Sequence, residues 1–251
     1  MMVISINTDF ARLLVRLADS ELVLAQRLCE MCSRGPFLEE DIALSNSALD
    51  LLGRAEELYK LLAETEGKEL TADDYAYRRN EREFFCFKLV EQPNTDFAWV
   101  IARQYLHDVY VKSVFTRLLQ SENSKLAGLS EKVLKEIRYS LERSKDWMLR
   151  LGIGTEESNH RLQFAIDRLF RFVPELFAFD AVDLKYIPDT EGMILEWKTE
   201  VSETLRTAGI QEPELKSTHL RDSREGFHTE YLGHLLSEMQ FLPRAYPDAT
   251  W

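Results

Sequence analysis

Two Glu-x-x-His pairs are the residues of this sequence whose types and spacing could bind a metal. Glu157 precedes His160 by three residues, and Glu225 precedes His228 by three. Residues i and i+3 share one face of an α-helix, and di-metal helical bundles use two such pairs with two further carboxylates. Each pair lies at the predicted start of a helix, however, where acids also stabilise the positive end of the helix dipole. We favour this capping interpretation over the metal site.

A second motif, Cys29-x-x-Cys32, has the spacing of redox-active and zinc-binding cysteine pairs. Redox pairs lie at a helix N-terminus, where the dipole stabilises the thiolate, whereas this pair is predicted at a helix C-terminus. The sequence has no second pair that would complete a zinc site. We therefore interpret both as ordinary helical cysteines. The odd total of three cysteines indicates a reducing compartment rather than a disulfide framework.

The other histidines give no clear catalytic pattern. His107 and Asp108 lie in the middle of a predicted helix rich in aromatic residues, where a histidine is more often a hydrogen-bonded core residue than a ligand. His219, His228 and His234 cluster late in the sequence, and we interpret them as surface or interface residues. The sequence also contains neither a glycine-rich phosphate loop nor a G-x-S-x-G motif.

Helical periodicity dominates the chain, and no segment has the alternation of a β-strand. Four long helices are predicted as two antiparallel pairs, at residues 9–32, 38–62, 96–119 and 125–149. The connection between the pairs carries a short helix at 71–89, which is the wiring of a ferritin-like four-helix bundle. We expect one all-α domain over 1–251, with the bundle core at 9–150 and additional C-terminal helices at 151–251.

The helix at 38–62 is apolar around most of its surface, which indicates that other helices surround it. Inward-pointing polar groups on such helices form the cofactor sites of bundles. The question is therefore whether this core carries metal ligands. The polar residues of this helix that bear on it are Ser45, Asn46, Ser47, Asp50 and Arg54. Beyond the bundle, we predict helices at 158–172, 190–208 and 226–241, a short helix within the irregular stretch 177–188, and a loop at 209–222.

The composition excludes several classes of partner. The formal net charge is -12, and such a surface repels nucleic acids and anionic membranes. No segment approaches the roughly 18 consecutive apolar residues of a membrane-spanning helix. The N-terminus lacks a basic region before an apolar core, so we expect no secretory signal. Together these features predict a cytoplasmic protein that binds neither nucleic acid nor membrane.

Several segments resemble a known family across nearly the whole chain. They look like the non-catalytic structural subunit of ring-1,2-phenylacetyl-CoA epoxidase, the multicomponent oxygenase of phenylacetate breakdown. LVEQPN and GFHTEYLGHLLSEMQ are the most specific stretches. The segments are ELVLAQRL (21–28), SALDLLGRA (47–55), LVEQPNTDFA (89–98), IARQY (101–105), FTRL (115–118), KEIRY (135–139), RLFRFVPELF (168–177) and GFHTEYLGHLLSEMQ (226–240).

The resemblance implies a ferritin-like fold with no metal of its own and no cofactor. It implies a paralogous catalytic partner that carries the di-iron centre and binds the acyl-CoA, and a separate reductase that delivers electrons from NADPH. The structural subunit would pair with the catalytic one and support its folding, and it would contact the reductase and the small subunits only indirectly. We therefore expect this chain to be inert alone.

By the same resemblance, the positions of the catalytic paralogue's metal ligands carry other residues here. The Glu-x-x-His of the second helix falls on 52–55, Leu-Gly-Arg-Ala, and that of the fourth helix on 137–140, Ile-Arg-Tyr-Ser. The first-helix glutamate falls near Gln26, and only Asp108 keeps a carboxylate. One carboxylate cannot hold two iron ions. We therefore predict no catalytic, cofactor-binding or metal-ligating residue.

The polar residues left in such a core should be paired with one another or with the backbone. We expect this of Asp50, Arg54 and Asp108. We also hypothesise that Arg54 takes over part of the charge of the lost metal, which requires a buried guanidinium. The aromatic long helices and the final helix are our expected contributors to the interface with the partner.

Two other functions remain open from the sequence. One is a self-sufficient ferritin-like di-metal oxygenase that uses Glu157, His160, Glu225 and His228. The other is a helical adaptor unrelated to oxygenases.

Overall fold

The computed structural model describes residues 4–215, 223–247 and 249. These residues form helices and turns, and they contain no β-strand. None of their helices is long and apolar enough to cross a membrane. The prediction of an all-α chain is confirmed. The helices are α1 (Asp9–Cys29), α2 (Leu38–Glu66), α3 (Ala72–Tyr77), α4 (Lys88–Glu91), α5 (Phe97–Leu118), α6 (Ser124–Ile153), α7 (Glu156–Leu169), α8 (Val173–Leu176), α9 (Ala181–Tyr186), α10 (Thr190–Thr207), α11 (Glu230–Met239) and α12 (Phe241–Ala245).

The chain divides into two compact units. The first comprises Met1–Pro93 and Leu220–Trp251, and the second comprises Asn94–His219. Each predicted pair of long helices is present in one unit, since α1 packs on α2 in the first and α5 packs on α6 in the second. A ferritin-like bundle is built from two such pairs. The assignment of a single domain with its core at 9–150 stays a prediction.

In the first unit, α1 and α2 form a long antiparallel hairpin. The Thr8 hydroxyl caps α1 by accepting a hydrogen bond from the backbone N–H of Ala11 at 3.1 Å. At its other end α2 stops at Gly67, whose φ of 60° is a left-handed conformation that favours glycine. Leucines dominate the packing between the two helices because their apolar side chains recur every three or four residues. The buried ones include Leu13, Leu14, Leu17, Leu24, Leu28, Leu44, Leu51, Leu58 and Leu62.

The predicted helix at 71–89 is wrong as a continuous element. The structure has α3, a 3₁₀ turn at Glu81–Glu83 and α4 in its place. Side chains take the backbone groups that a continuous helix would pair. The Arg79 guanidinium donates to the carbonyl oxygens of Tyr75 and Glu83 at 2.6 and 2.7 Å. The Asp19 carboxylate accepts from the N–H of Phe85 at 2.7 Å. Side-chain hydrogen bonds, both local ones from Arg79 and a long-range one from Asp19, thus outweigh local helical propensity here.

In the second unit, α5 is buried along nearly its whole length and packs against α6, α7 and α10. Asp96 caps its start by accepting from the N–H of Trp99 at 2.9 Å. The indole of Trp197, on α10, donates to the carbonyl oxygen of Leu106 at 3.2 Å. At the end of α6, Gly152 meets Ala208 so closely that an added Cβ would lie 2.2 Å from the Ala208 carbonyl oxygen. The two helices therefore approach each other with backbone almost in contact.

The C-terminal helices differ from the prediction at their boundaries. The predicted helix at 226–241 begins only at Glu230, because Gly226 has a φ of 75° and lies against the carbonyl oxygen of Arg82. Pro243, predicted to bracket an irregular tail, lies inside α12. The short helix predicted within 177–188 is confirmed as α9, and residues 209–215 are non-helical as predicted. The remainder of the predicted loop lies outside the described residues.

Candidate functional site

A buried ion pair lies beside Leu52 and Ala55, the second-helix positions that the resemblance assigns to metal ligands. Arg54, on α2, is 3% exposed. Its Nη1 lies 3.1 Å from Oε2 of Glu21 on α1, and both side chains are 2% exposed. This contact is an ion pair rather than a well-aligned hydrogen bond. The Arg54 Nε also donates to the carbonyl oxygen of Asp50 at 3.4 Å. Arg54 therefore meets the condition of our charge-replacement hypothesis, whereas the Asp50 side chain is exposed, contrary to its expected place in the core.

The corresponding positions of the second unit hold neutral or hydrogen-bonded groups. On α5, Gln104 Nε2 donates to Oδ1 of Asp108 at 2.7 Å, and both residues are fully buried. The expected pairing of Asp108 is therefore confirmed. On α6, the Ser140 hydroxyl donates back to the carbonyl oxygen of Ile137 at 3.3 Å. A serine hydroxyl that bonds its own helix cannot replace the imidazole of a metal site.

The first unit also contains a buried polar cluster that the sequence analysis missed. Asp19 accepts from the Tyr59 hydroxyl at 2.6 Å and from Arg79 through both carboxylate oxygens. The guanidinium of Arg79 lies over the Phe84 ring, 4.2 Å from its centroid. Asp19, Tyr59 and Arg79 are all almost completely buried. This cluster ties α1 and α2 to the segment after α3.

The same cluster shifts the protonation of its members. Burial raises the pKa of Tyr59 well above its ordinary value, and the neighbouring Asp19 carboxylate raises it further. Burial alone would lower the pKa of Arg79, but the Asp19 carboxylate outweighs it and raises that pKa. Tyr59 therefore stays a hydroxyl donor and Arg79 stays a cation. Neither group is available as a base, so the cluster is structural.

A second buried cluster joins Glu91, at the end of α4, to the segment before α11. His228 Nδ1 lies 2.6 Å from Oε1 of Glu91, and His228 Nε2 lies 2.7 Å from the carbonyl oxygen of Phe84. The N–H and the hydroxyl of Thr229 donate to the other Glu91 oxygen at 2.8 and 2.6 Å. Arg27 donates to the backbone carbonyl of Glu91 at 3.0 and 2.7 Å. This segment is thus anchored by hydrogen bonds rather than by helix packing alone.

The acceptors around His228 determine its charge. A carbonyl oxygen only accepts, so Nε2 carries a proton, and the Glu91 carboxylate accepts a hydrogen bond from Nδ1–H. Below its folded-state pKa, His228 is therefore an imidazolium that donates from both ring nitrogens. Burial alone would lower the pKa of His228, but the hydrogen bond and the charge of Glu91 outweigh burial and raise that pKa above its ordinary value. Our interpretation of His228 as a surface or interface residue was wrong, because its side chain is fully buried within the chain.

Cys86, Glu91 and His228 form the one cluster of three potential metal ligands within the described parts of the chain, with ligand atoms within 4.8 Å of one another. Both ring nitrogens of His228 and both Glu91 oxygens already have hydrogen-bond partners. The Cys86 thiol lies 3.8 Å from Glu91 Oε1. Hydrogen bonds therefore stabilise this cluster, and binding of a metal ion would have to break several short ones. The residues do not fit a metal.

The two Glu-x-x-His pairs do not have the geometry of metal ligands. Glu157 lies in the first turn of α7, as the capping interpretation predicts, and its Oε1 accepts from Arg161 Nε at 2.6 Å. His160 is exposed. Glu225 is exposed in a 3₁₀ turn and the residues after it are not helical. Glu225 and His228 therefore do not share a helix face, and the interpretation of Glu225 as a cap of the helix predicted at 226–241 was wrong.

The remaining candidates are ordinary surface residues. The pair lies at a helix C-terminus as predicted, but α1 ends at Cys29 rather than at Cys32, which lies in a turn. Cys29 and Cys32 are exposed free thiols. Partial burial of Cys29 and the neighbouring Cys32 raise the pKa of the Cys29 thiol, which is the opposite of an activated thiolate. His234 is exposed, as predicted. His219 lies outside the described residues.

Glu91 and His228 belong to LVEQPN and GFHTEYLGHLLSEMQ, the two most specific segments of the sequence, and this shared specificity was the available signal for their contact. Residues 2–251 match the phenylacetic acid catabolic protein family. One subunit of the 1,2-phenylacetyl-CoA epoxidase of Escherichia coli (strain K12) is 42% identical over 244 residues, which cover 94% of this chain and 97% of that protein. The helix content and this match confirm the predicted all-α, ferritin-like fold class. The chain belongs to the phenylacetic acid catabolic protein family.

Proposed function

We propose that this chain is the structural, non-catalytic subunit of a ring-1,2-phenylacetyl-CoA epoxidase. It pairs with the di-iron catalytic subunit and stabilises it during aerobic phenylacetate degradation in the cytoplasm. The observation that carries the proposal is the match to the Escherichia coli epoxidase subunit over 94% of the chain. The reductase, with its NADPH, and the small subunits reach this chain only through the complex.

The core of the first unit supports a structural rather than a catalytic role. Arg54 lies between Leu52 and Ala55, where the resemblance places two metal ligands of the catalytic paralogue, and it forms an ion pair with Glu21. A buried cation at that place repels a metal ion and supplies the positive charge that the surrounding acid requires. The core therefore keeps its charge balance without iron, and this subunit contributes a stable surface instead of chemistry.

An exposed apolar stripe on α2 offers such a surface. Leu38, Ile42 and Leu49 are 69%, 51% and 65% exposed, and their spacing places them on one face of the helix. Gly53 continues this face, with nothing within 4 Å of the position of an added Cβ. A glycine inside a helix costs about 0.5–1 kcal/mol relative to alanine. Close approach of a helix from the partner would use the space that this glycine leaves.

The charges beside this α2 stripe favour the catalytic subunit over a second copy of this chain. Glu39, Asp50 and Glu56 are exposed beside it or in line with it. Two copies would bring these acids together, and each copy carries a formal net charge of -12. A partner helix with an apolar face and a basic rim would complement the stripe in both hydrophobicity and charge.

Co-expression with the catalytic subunit tests the pairing. We expect the two chains to copurify at a fixed ratio, and the catalytic subunit to be less soluble when it is expressed alone. Epoxidation of phenylacetyl-CoA, with the reductase and NADPH added, should require the catalytic subunit and should be absent with this chain alone. Activity from this chain without the catalytic subunit would refute the proposal.

A substitution on the α2 stripe tests the contact surface. Leu49→Glu places a charge at the centre of the stripe, and we expect it to weaken copurification at least tenfold while the isolated chain keeps its helical circular dichroism. Leu195→Glu is the matched control, because Leu195 is 67% exposed on α10. If Leu49→Glu copurifies as well as the control does, the stripe is not the contact surface, whereas the pairing itself can still hold.

A further inference from the structure

Four arginines line one cavity of the first unit, which has a volume of about 340 Å³. Arg12 and Arg16 lie one turn apart on α1, and Arg82 and Arg224 lie in two short 3₁₀ turns. The acidic residue in the lining is Glu83. Among the described residues of the lining, four arginines and one glutamate carry a formal charge of +3, within a chain whose formal net charge is -12. The cavity thus reverses the sign of the protein around it.

Aromatic rings position two of these guanidinium groups. The Arg82 guanidinium lies 5.7 Å from the centroid of the Phe227 ring. The Arg224 guanidinium lies 5.3 Å from the centroid of the Phe87 ring, and Arg224 is buried. Packing on an aromatic face orients a guanidinium without neutralising its charge. The donors of both residues are therefore held in place while their positive charge persists.

The carboxylate in the cavity lining, that of Glu83, already accepts a hydrogen bond. Oε2 of Glu83 accepts from the backbone N–H of Asn80 at 2.6 Å, which caps the 3₁₀ turn. Across the described ranges of the chain, no carboxylate lies within ion-pair distance of Arg12 or Arg82. An anion bound in the cavity would balance the positive charge of these two residues. The cavity is therefore built for an anionic ligand.

The chemistry of the lining selects among anions. Each guanidinium offers a planar fork of donors that matches phosphate and carboxylate bidentately. A phosphate monoester carries about -1.5 to -2 charges at neutral pH and has three acceptor oxygens, so it balances a site of this charge better than a single carboxylate does. Ile4, Val15 and Phe85 provide an apolar wall. A volume of about 340 Å³ is at the lower end of small-molecule sites.

We propose that this cavity binds the phosphate group of a small molecule. Two sources share this chemistry, inorganic phosphate and the phosphates of a coenzyme A ester. A coenzyme A molecule exceeds the cavity, so only its phosphate and the adjoining atoms would enter. The proposal concerns this chain alone and does not depend on the pairing proposed above.

Calorimetric titration of the full-length chain tests the proposal. The probes are inorganic phosphate, coenzyme A and 3′-dephospho-coenzyme A, at constant ionic strength set with chloride. Arg12→Gln combined with Arg82→Gln removes two donors, and both residues are exposed, so we expect the variant to fold. Arg34→Gln combined with Arg138→Gln is the matched control, because it removes the same charge from exposed positions outside the cavity.

We expect at least one probe to bind, and we expect the cavity variant to weaken that binding at least tenfold while the control variant changes it less than twofold. Binding of coenzyme A without binding of its 3′-dephospho form would identify the 3′-phosphate as the recognised group. Equal affinity for inorganic phosphate would identify the free anion. No binding of any probe, or equal weakening by both variants, would overturn the proposal.

Copurification with the catalytic subunit separates this test from the test of the proposed function. The Arg12→Gln, Arg82→Gln variant should still copurify, because neither residue lies on α2. If it copurifies but the wild-type chain binds no phosphate probe, the cavity proposal fails and the pairing stands. If phosphate binds but the catalytic subunit does not copurify, the pairing fails and the cavity proposal stands.

Discussion

Two buried pairs place charged side chains in the interior of the first unit. Arg54 pairs with Glu21, and His228 pairs with Glu91, with both pairs buried. Removing one partner of a buried pair leaves an uncompensated charge and costs about 3–5 kcal/mol, whereas replacing both by apolar residues can be neutral. Paired charges can therefore be kept in such a core without a metal ion.

The Arg54–Glu21 pair gives a first prediction. Arg54→Met should lower the free energy of unfolding by about 3–5 kcal/mol, because it leaves the Glu21 carboxylate buried without its cation. Adding Glu21→Leu should restore most of this loss. A double-mutant cycle measured by urea unfolding checks the coupling. Additive effects of the two substitutions would contradict it.

The His228–Glu91 pair gives a second prediction, of pH-dependent stability. The folded-state pKa of His228 is raised above its ordinary value of 6.5, so the folded state holds the proton more tightly than the unfolded state does. The stabilisation is fully present below the unfolded-state pKa and is lost as pH rises through the folded-state pKa.

Accordingly, His228→Gln should cost about 3 kcal/mol or more at low pH, and this difference from the wild-type chain should shrink as pH rises above 6.5. Urea unfolding between about pH 5.5 and 9 provides the measurement. His160→Gln serves as the control, because His160 is exposed. A difference that does not change with pH would contradict the buried imidazolium.

The two pairs also show what the sequence could predict at this scale. The structure confirms the expected burial of Arg54, whereas the prediction that other helices surround 38–62 was wrong, because Leu38 and Leu49 lie on an exposed face. The Glu91–His228 contact joins residues 137 positions apart, and no local periodicity indicates such a contact. Without it, His228 looked like one of three late histidines on a polar surface.

At the scale of elements, sequence periodicity and capping residues predict the long helices but not the short ones. The predicted starts and ends of α1, α2, α5 and α6 lie within a few residues of those observed, because each has an apolar stripe and a stop signal. The prediction of one helix at 71–89 was wrong because Arg79 binds backbone carbonyls that helical pairing would use. Asp19 in turn binds Arg79 and the backbone of Phe85, and local periodicity does not indicate these tertiary contacts.

The contact between α6 and α10 gives a third prediction. Gly152→Ala places a methyl group 2.2 Å from the Ala208 carbonyl oxygen, so the two helices must separate. We expect a loss of about 1–3 kcal/mol of unfolding free energy, as for other overpacked sites. Thermal or urea unfolding checks it.

Gly128→Ala is the matched control on the same helix, since an added Cβ there meets nothing within 4 Å. It should stabilise the chain by about 0.4–1 kcal/mol through a less flexible unfolded state. Equal effects of the two substitutions would mean that α6 and α10 are not in close contact.

For the whole molecule, the metal content gives a fourth prediction. We expect the chain, purified alone after expression with ample iron, to hold well under one equivalent of iron, manganese or zinc per chain. The ion pair of Arg54 with Glu21 and the saturated hydrogen bonds of His228 and Glu91 leave no free ligand set at those places.

Elemental analysis provides the measurement, with the catalytic subunit as the positive control. Two equivalents of iron would support the alternative function, a self-sufficient di-metal oxygenase, and would contradict our account of these clusters.

The anchoring of residues 228 and 229 on Glu91 has a consequence for how the chain is made. The first unit is discontinuous, with its last part more than a hundred residues after the first, whereas Asn94–His219 is continuous. During synthesis on the ribosome, the continuous unit can complete its contacts before His228 emerges. Until then, the Glu91 carboxylate lacks its imidazolium. The first unit therefore completes its contacts only when this last segment has been made. A chain truncated before His228 should have N-terminal helices that never become fully stable.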